Sequence, residues 1–539
     1  MSHRSLILAM TALAVIVLPA CRNPLRTYID ETGRVADEQR LHTVDALNLR
    51  RRVVQTPSPQ DEMSLELPPD PFADVEQVEI SLAQCRAWTL ENNLDLKVAL
   101  FDPELAETLV SEEEARFEAL FTISGEVSDA DPGQAEVFRD QFVRPWDVEP
   151  GVEIPLRTGG TARIGLPVSR RESFAGFLDA DRYSTDLDLS LSQPLLRNAG
   201  RRTNTHFIRI AALDSQIAQA RTKLEVIRQI AAVDRGYWLL HDAQRRLLVR
   251  QGQYEQAVEQ LAMARARFAG GVAPEIDVFR AEAGVARRID AIIRAELQVK
   301  KSQRVLKRII NRKGLDVDSV ARLILTSDPD PIRYDIDPAE LIESSIAQRM
   351  ELLELELQLA QDLSAIDFAE NQKLPLFSLD YMYRFHGTGS DFGESVTHGG
   401  NSSGEGWRLG LNVEVPLGNE AARATYHRSI LSRLQRLATK SAREQAIKQE
   451  VLDAVENLEA AWQRIQAARL SVFYQGLSYR GEQGQYRLGL RTSTEVLEAE
   501  DLLADAKISH IAAVIDYQVA QIDLAFATGM LLGAARVSW

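Results

Sequence analysis

Apolar positions along this chain fall into two rhythms. Ile210, Leu213, Ile217, Ala220, Leu224, Ile227 and Ala231 follow one another at alternating steps of three and four, as do Ile447, Val451, Ala454, Leu458, Ala461, Ile465, Ala468 and Val472. That seven-residue seam predicts long helices packed as in coiled coils. Proline marks how far they run. None falls between Pro194 and Pro274, between Pro274 and Pro329, or after Pro416, and each one inside a helix would cost about 3 kcal/mol. A helix from about 201 to 268 would be ~100 Å long, so it needs parallel neighbours along its length. A plain coiled-coil rod would satisfy this pattern equally well.

The second rhythm has period two. Phe121, Ile123, Gly125 and Val127 alternate with polar positions, and so do Leu187, Leu189 and Leu191. Further on, Phe377, Leu379, Tyr381, Tyr383 and Phe385 do the same, followed by Trp407, Leu409, Leu411, Val413 and Val415. Strands of about ten residues with one apolar and one polar face fit a membrane β-barrel; a soluble sheet lying on a core would alternate similarly. Four strands are too few to close a barrel, since eight is about the minimum. Spanning lipid would therefore take several chains, because open sheet edges are not tolerated there. Three chains of four strands give twelve.

The two rhythms occur twice. The run Arg267-Phe268-Ala269-Gly270-Gly271 through Glu282 lies 218 positions before Gln485-Tyr486-Arg487-Leu488-Gly489 through Glu500. Gly271 and Gly489, Val278 and Val496, Ala281 and Ala499, and Glu282 and Glu500 coincide. Each run breaks a helix with glycine and restarts it, with Pro274 suited to a first helical position and Thr492 with Glu495 forming a capping box. Both read as tips of helical hairpins, near 270–277 and 488–495. Asn92-Asn93-Leu94-Asp95-Leu96 parallels Gln348-Arg349-Met350-Glu351-Leu352, and Pro194-Leu195 parallels Pro416-Leu417. The expected organisation is a first repeat over 75–318, a linker over 319–335 and a second repeat over 336–539, with a β-hairpin at 376–416. The first half also carries an extra segment, about 129–183, containing Val152, Ile154, a Thr158-Gly159-Gly160-Thr161 turn, Ile164 and Leu166. It reads as an added hairpin above or below the barrel; placed within the wall, it would change the strand count. The matching stretch in the second half, Gly387 to Glu405, is rich in Gly and Ser and reads as an exposed loop.

The N-terminus adds an address. Arg4 precedes an apolar run from Leu6 to Leu18, then Pro19, Ala20 and Cys21. At ~1.5 Å per residue the run is shorter than a bilayer core and reads as an export signal over 1–20. Leu18-Pro19-Ala20-Cys21 resembles a bacterial lipobox, whose cysteine becomes the lipidated first residue; an ordinary signal peptide with Cys21 incidental is the alternative. Residues 21–74, with no sustained period, read as an extended tether.

Composition then removes whole classes. Lys plus Arg number 62 against 78 Asp plus Glu, a net charge of −16, which disfavours nucleic acid as a partner. Mean hydropathy of −0.20 excludes a polytopic helical membrane protein. Two cysteines, Cys21 and Cys85, exclude a disulfide framework, and Cys85 sits in a helical apolar pattern, as a buried thiol would. The eight histidines lack ligand spacing, and no phosphate-cradling, His-Glu-x-x-His or Gly-x-Ser-x-Gly motif is present. The reading calls for no enzyme activity, cofactor or metal.

The Asn-Asn-Leu-Asp-Leu-like openings, the strands ending in Pro-Leu and the Tyr-Arg-Leu-Gly-Leu-Arg-Thr-like tip, in duplicate and in order, resemble the TolC family of outer-membrane efflux ducts, with a leader similar to the OprM-type branch. The resemblance covers roughly Val75 to the C-terminus. It implies a mainly α fold with membrane β. Tandem long hairpins would form a trimeric α-barrel, capped by a 12-stranded β-barrel with four strands per chain. It implies a passive exit duct of a tripartite efflux or type I secretion system, set in outer-membrane lipid, with a periplasmic adaptor and, through it, an inner-membrane transporter as partners. It also implies a gate at the tips, in which Asp277 ties to Tyr486 and Arg491; Ile276 stands where the family has a helpful threonine. Glu495 and Glu498, three apart and so on one helix face, match an acidic constriction. Acids in a first helical turn also stabilise any N-terminus. Gly271 and Gly489 match tip backbone and adaptor contact. The rival readings are a periplasmic adaptor lipoprotein with a coiled-coil hairpin, which would lack the tandem repeat, and a structural coiled-coil lipoprotein.

Overall fold

The computed structural model describes residues 75–127, 142–175, 178–399 and 404–537. The export signal, Cys21, the tether and the 128–141 part of the extra segment lie outside those residues. In chain order the first half runs β1 (Gln77–Ile80), α1 (Leu82–Asn92), α2 (Leu94–Ala99), α3 (Phe101–Ala115), β2 (Leu120–Val127) and β3 (Phe142–Pro155). It continues through β4 (Thr161–Gly165), β5 (Val168–Ala175), β6 (Leu178–Pro194), α4 (Arg201–Asn204), α5 (His206–Ala269) and α6 (Glu275–Ile310). The second half has β7 (Arg322–Leu325), α7 (Pro338–Gln348), α8 (Met350–Gln372), β8 (Leu376–Gly389), α9 (Phe392–Gly399) and β9 (Glu405–Glu414). It ends with α10 (Glu420–Arg487), α11 (Ser493–Ala527) and α12 (Leu531–Ala534). The fold is mainly helical. No helix among the described residues is long and apolar enough to cross a membrane.

Helices α5 and α10 hold 64 and 68 residues without interruption, so each is ~100 Å long. Their seams face their hairpin partners and neighbours. Ile217, Leu224, Ile227 and Ala231 are buried on α5, and Ile447, Val451, Ala454, Leu458, Ala461 and Ile465 are buried on α10. Burying each large aliphatic side chain contributes roughly 1.5–3 kcal/mol, enough in sum to hold helices whose intrinsic propensity alone would leave them fraying. α5 pairs with α6 and α10 with α11, while α5 also packs on α3, α8 and α11. The two hairpins are thereby joined along one side.

A small parallel sheet, β1 with β7, ties the start of the first half to the segment between the halves. Strand β7 lies inside the stretch read as linker. Tyr237, fully buried, accepts a hydrogen bond from the Ser327 N–H at 2.8 Å and fixes that segment onto α5. Nearby, Cys85 is 0% exposed, and burial pushes its thiol up to about 12; it is a packing residue. At the start of α1, Ser81 and Gln84 close a reciprocal capping box.

The large sheet departs from expectation. Four strands per chain were expected, yet seven strands share one sheet, in the order β2-β3-β4-β6-β8-β9 with β5 between β3 and β6. All the pairings are antiparallel. The reason is the extra segment. β3 pairs Phe121 with Val152, β4 pairs Val152 with Ile164, and Ile164 faces Leu189 on β6. Strands β4 and β5 occupy one position in the sheet, broken only where Pro167 lacks an N–H. Across that break the Leu166 N–H donates to the Pro150 carbonyl at 2.8 Å, and the Asp186 N–H donates to the Pro167 carbonyl at 2.9 Å. The sheet is therefore six positions wide.

Gly159 makes the turn between β3 and β4 possible: its φ is +91°, and a Cβ there would meet the Asn198 carbonyl oxygen at 2.1 Å. The stretch from Gly387 to Glu405, expected as a loop, contains α9. Asp391 accepts from the Glu394 N–H at 2.8 Å, and Glu394 accepts from the Ser390 N–H at 2.8 Å, a capped helix start that composition had masked.

Candidate gating site at the hairpin tips

Both tips end their first helix in the same way. The Gly271 N–H donates to Phe268 O at 2.9 Å and the Val272 N–H to Arg267 O at 2.9 Å; the Gly489 N–H donates to Tyr486 O and the Leu490 N–H to Gln485 O, both at 3.0 Å. These are paired Schellman closures, which need a left-handed residue. Gly271 at φ +69° and Gly489 at φ +77° supply it, and both are exposed. The restarts differ. Pro274 occupies the N-cap of α6 rather than its first turn and offers no side-chain cap, though its carbonyl accepts from the Asp277 N–H at 3.1 Å. Thr492 caps α11 through the capping box with Glu495, which accepts from the Thr492 N–H at 2.8 Å.

The sequence-predicted residues are all at the tips but are not all joined. Arg491 donates to Glu495 Oε1 at 2.7 Å and to Gln485 Oε1 at 2.9 Å, and lies 3.2 Å from Glu482. Asp277 sits 3.4 Å from Arg280, on its own helix. Among the described residues no hydrogen bond joins Asp277 to Tyr486 or Arg491 within one chain. The Thr492 backbone N–H, then Arg491, hold the Glu495 carboxyl below its usual range, so it is ionised at neutral pH. Glu498 is exposed one turn further on. Tyr486 is buried with Tyr479, Val496 and Ala499 in a small apolar cluster of the second hairpin.

Arg267 is the contact that sequence reasoning missed. It reaches from the first hairpin to the second, its guanidinium 4.2 Å from the Tyr486 ring centroid, and it donates to the Tyr486 carbonyl at 3.0 Å. It lay in view inside the duplicated run, but its counterpart there is Gln485, which bonds within its own hairpin; sequence offered no sign of the difference. A second cross-hairpin layer lies deeper. Glu500, 1% exposed, accepts from Gln260 at 3.2 Å, and Arg288 lies 2.5 Å from Asp501. Burial, only partly offset by Arg288, pushes the Glu500 carboxyl up to about 7.

The polar face of the sheet is wired by charge: Arg163 with Glu149 at 2.6 Å, and Arg384 with Asp188. Its other face is apolar and exposed, with Trp407 71% and Leu409 58% accessible. Two helical hairpins, each with one arm of ~100 Å, carried by an amphipathic sheet with open edges among the described residues, define a duct-forming class of envelope protein. Residues 88–312 and 341–530 match the profile of the family described as outer membrane efflux protein. The chain belongs to that family and is an outer-membrane efflux channel. Among solved structures it is similar to the outer-membrane channel OprN at 18% identity and TM-score 0.62, covering 83% of this chain and 89% of that one. It is also similar to the Campylobacter jejuni CmeC outer membrane channel, at 16% identity and TM-score 0.62, with 84% and 86% covered. VceC from Vibrio cholerae matches at 13% identity and TM-score 0.62, with 83% and 96% covered. No curated protein sequence matches significantly.

Proposed function

We propose that three copies of this chain assemble into one passive exit duct of a tripartite efflux or type I secretion system. The sheets would close edge to edge into a barrel in the outer membrane, and the hairpins would continue it as a helical tube into the periplasm. One observation carries this reading: among the described residues the sheet has two open edges, β2 and β9, and an apolar face that stays exposed in the single chain. Lipid tolerates no open edge, so the wall is completed by further copies. Each chain would contribute a first repeat over 75–318, a linker over 319–335 and a second repeat over 336–539. An anchor at Cys21, after a signal over 1–20 and at the start of a tether over 21–74, would hold the duct to outer-membrane lipid.

The tips would form the gate. Asp277 of one copy would meet Tyr486 and Arg491 of another, competing with Glu495 and Glu482 for the guanidinium. Threefold symmetry would set Glu495 and Glu498 as six carboxylates around a neck that favours cations. Gly271 and Gly489 would lie against a periplasmic adaptor, through which an inner-membrane transporter supplies cargo and energy.

The test is conductance. Purified full-length protein should run as a trimer in detergent and give discrete steps in planar bilayers, and Asp277→Asn with Arg491→Gln should raise the conductance several-fold. A detergent-independent soluble monomer, or silent bilayers even for the loosened tips, would remove the proposal.

A further inference from the structure

We infer that the hairpin made by β3 and the combined β4–β5 strand is part of the membrane wall, so that the barrel has six strands from each copy and a correspondingly wide lumen. The inference rests on the trimeric duct just proposed and goes beyond it.

Face by face, the hairpin matches the strands it joins. Trp146, Val148, Pro150, Val152 and Ile154 share one face of β3, with Asp147, Glu149 and Glu153 on the other. Ala162, Ile164, Leu166 and Val168 share one face across β4 and β5, with Arg163 and Ser169 opposite. Register places the apolar set in line with the rest of the sheet. One row runs Phe121, Val152, Ile164, Leu189, Tyr383, Trp407; the next runs Ile154, Ala162, Leu191, Tyr381, Leu409. The opposite face is equally continuous, with the Arg163–Glu149 and Arg384–Asp188 pairs both on it.

A hairpin standing apart as a soluble appendage would have no reason to keep an exposed apolar face: Ile164 is 48% and Leu166 43% accessible. From Ala162 to Val168 the apolar positions span ~20 Å along the strand at about 3.4 Å per residue, or ~15 Å of depth at a tilt of about 40°, which fits within the ~25 Å band of outer-membrane barrels. Beyond Val168 the next row is aromatic and basic. Trp146 meets Tyr183 edge-on at 6.5 Å, and Arg170 lies 5.7 Å from the Tyr183 ring, the composition of a membrane–water rim. The occupant of this face is bilayer hydrocarbon.

Six positions from each of three copies make eighteen strands. Barrel diameter grows roughly linearly with strand number, so the lumen is about 1.5 times as wide as a twelve-stranded one and has about twice its cross-section. Cargo that outgrows a twelve-stranded exit would pass here.

The experiment uses full-length protein in vesicles whose acyl chains are brominated, with bimane on single introduced cysteines and the wild-type signal subtracted. Ile164→Cys and Val152→Cys lie in the same row as Leu189→Cys, so all three should be quenched within about twofold of one another, and Arg163→Cys much less. Quenching at Leu189→Cys without quenching at Ile164→Cys and Val152→Cys overturns the wide barrel and leaves the duct standing. No quenching at Leu189→Cys overturns both. Unmodified protein gives an independent measurement: a diazirine in the acyl chains should label peptides across 146–170 as heavily as those across 405–415. Label confined to the latter also overturns the inference.

Discussion

Replacing Glu500 by Gln should stabilise the protein at alkaline pH and do nothing in acid. Glu500 is 1% exposed between the hairpins, and its carboxyl is pushed from an ordinary 4.5 to about 7, chiefly by burial. Below 4.5 the group is protonated in folded and unfolded chains alike, and burial costs nothing extra. Between 4.5 and 7 the unfolded chain ionises first, so the folded state loses ground as pH rises. Above 7 both are ionised and the full penalty applies, about 3 kcal/mol at 1.36 kcal/mol per pH unit. Gln keeps an oxygen to accept from Gln260 and carries no charge. Urea unfolding of the detergent-solubilised protein, with and without Glu500→Gln, should give equal midpoints near pH 4 and a clearly higher midpoint for the variant at pH 8. An equal difference at both pH values would refute the reasoning, because it would mean the carboxylate is solvated or fully paired when folded.

Three further outcomes follow from single contacts. Arg86 clasps the fully buried Asp234 with two hydrogen bonds of 2.8 Å; Arg86→Met should cost about 3–5 kcal/mol of unfolding free energy, read by denaturant titration, by stranding a buried charge, and Arg86→Met with Asp234→Asn should recover most of it. Gly271→Ala and Gly489→Ala meet no neighbour within 4 Å, yet both backbones are left-handed. Each should therefore cost about 1 kcal/mol through backbone strain alone, read as faster amide exchange at Val272 or Leu490. Arg267→Ala should free the two hairpin ends from each other and lengthen open events in single-channel records, whereas Arg265→Ala, which removes only a pair to Glu282, should not.

Much of the helical part was legible in the letters. The seams, the long proline-free runs and the glycine tips each follow from periodicity and backbone sterics, and Thr492 with Glu495 announced its own cap. The strands of the second half were equally plain, because an alternation of Tyr, Leu and Phe over ten residues has one reading. The added hairpin was harder. Its run contains Pro150, Gly151, Gly165 and Pro167, residues that locally argue against strand, and pairing from both sides overrides them. The tip residues were found as a group, but which of them touch was not.

The duplication shows most clearly where sequence stops. Glu282 and Glu500 hold equivalent places in the two repeats, and local pattern gives them one fate. In the folded chain Glu282 pairs with Arg265 in partial contact with water, whereas Glu500 is sealed between hairpins with its proton affinity raised. Sequence by itself determined the helices, their tips and the amphipathic strands, because these depend on neighbours within a few residues. Only tertiary structure decided the width of the sheet, the reach of Arg267 and the burial of Glu500, because each depends on which distant segment packs alongside, and local propensity carries no record of that.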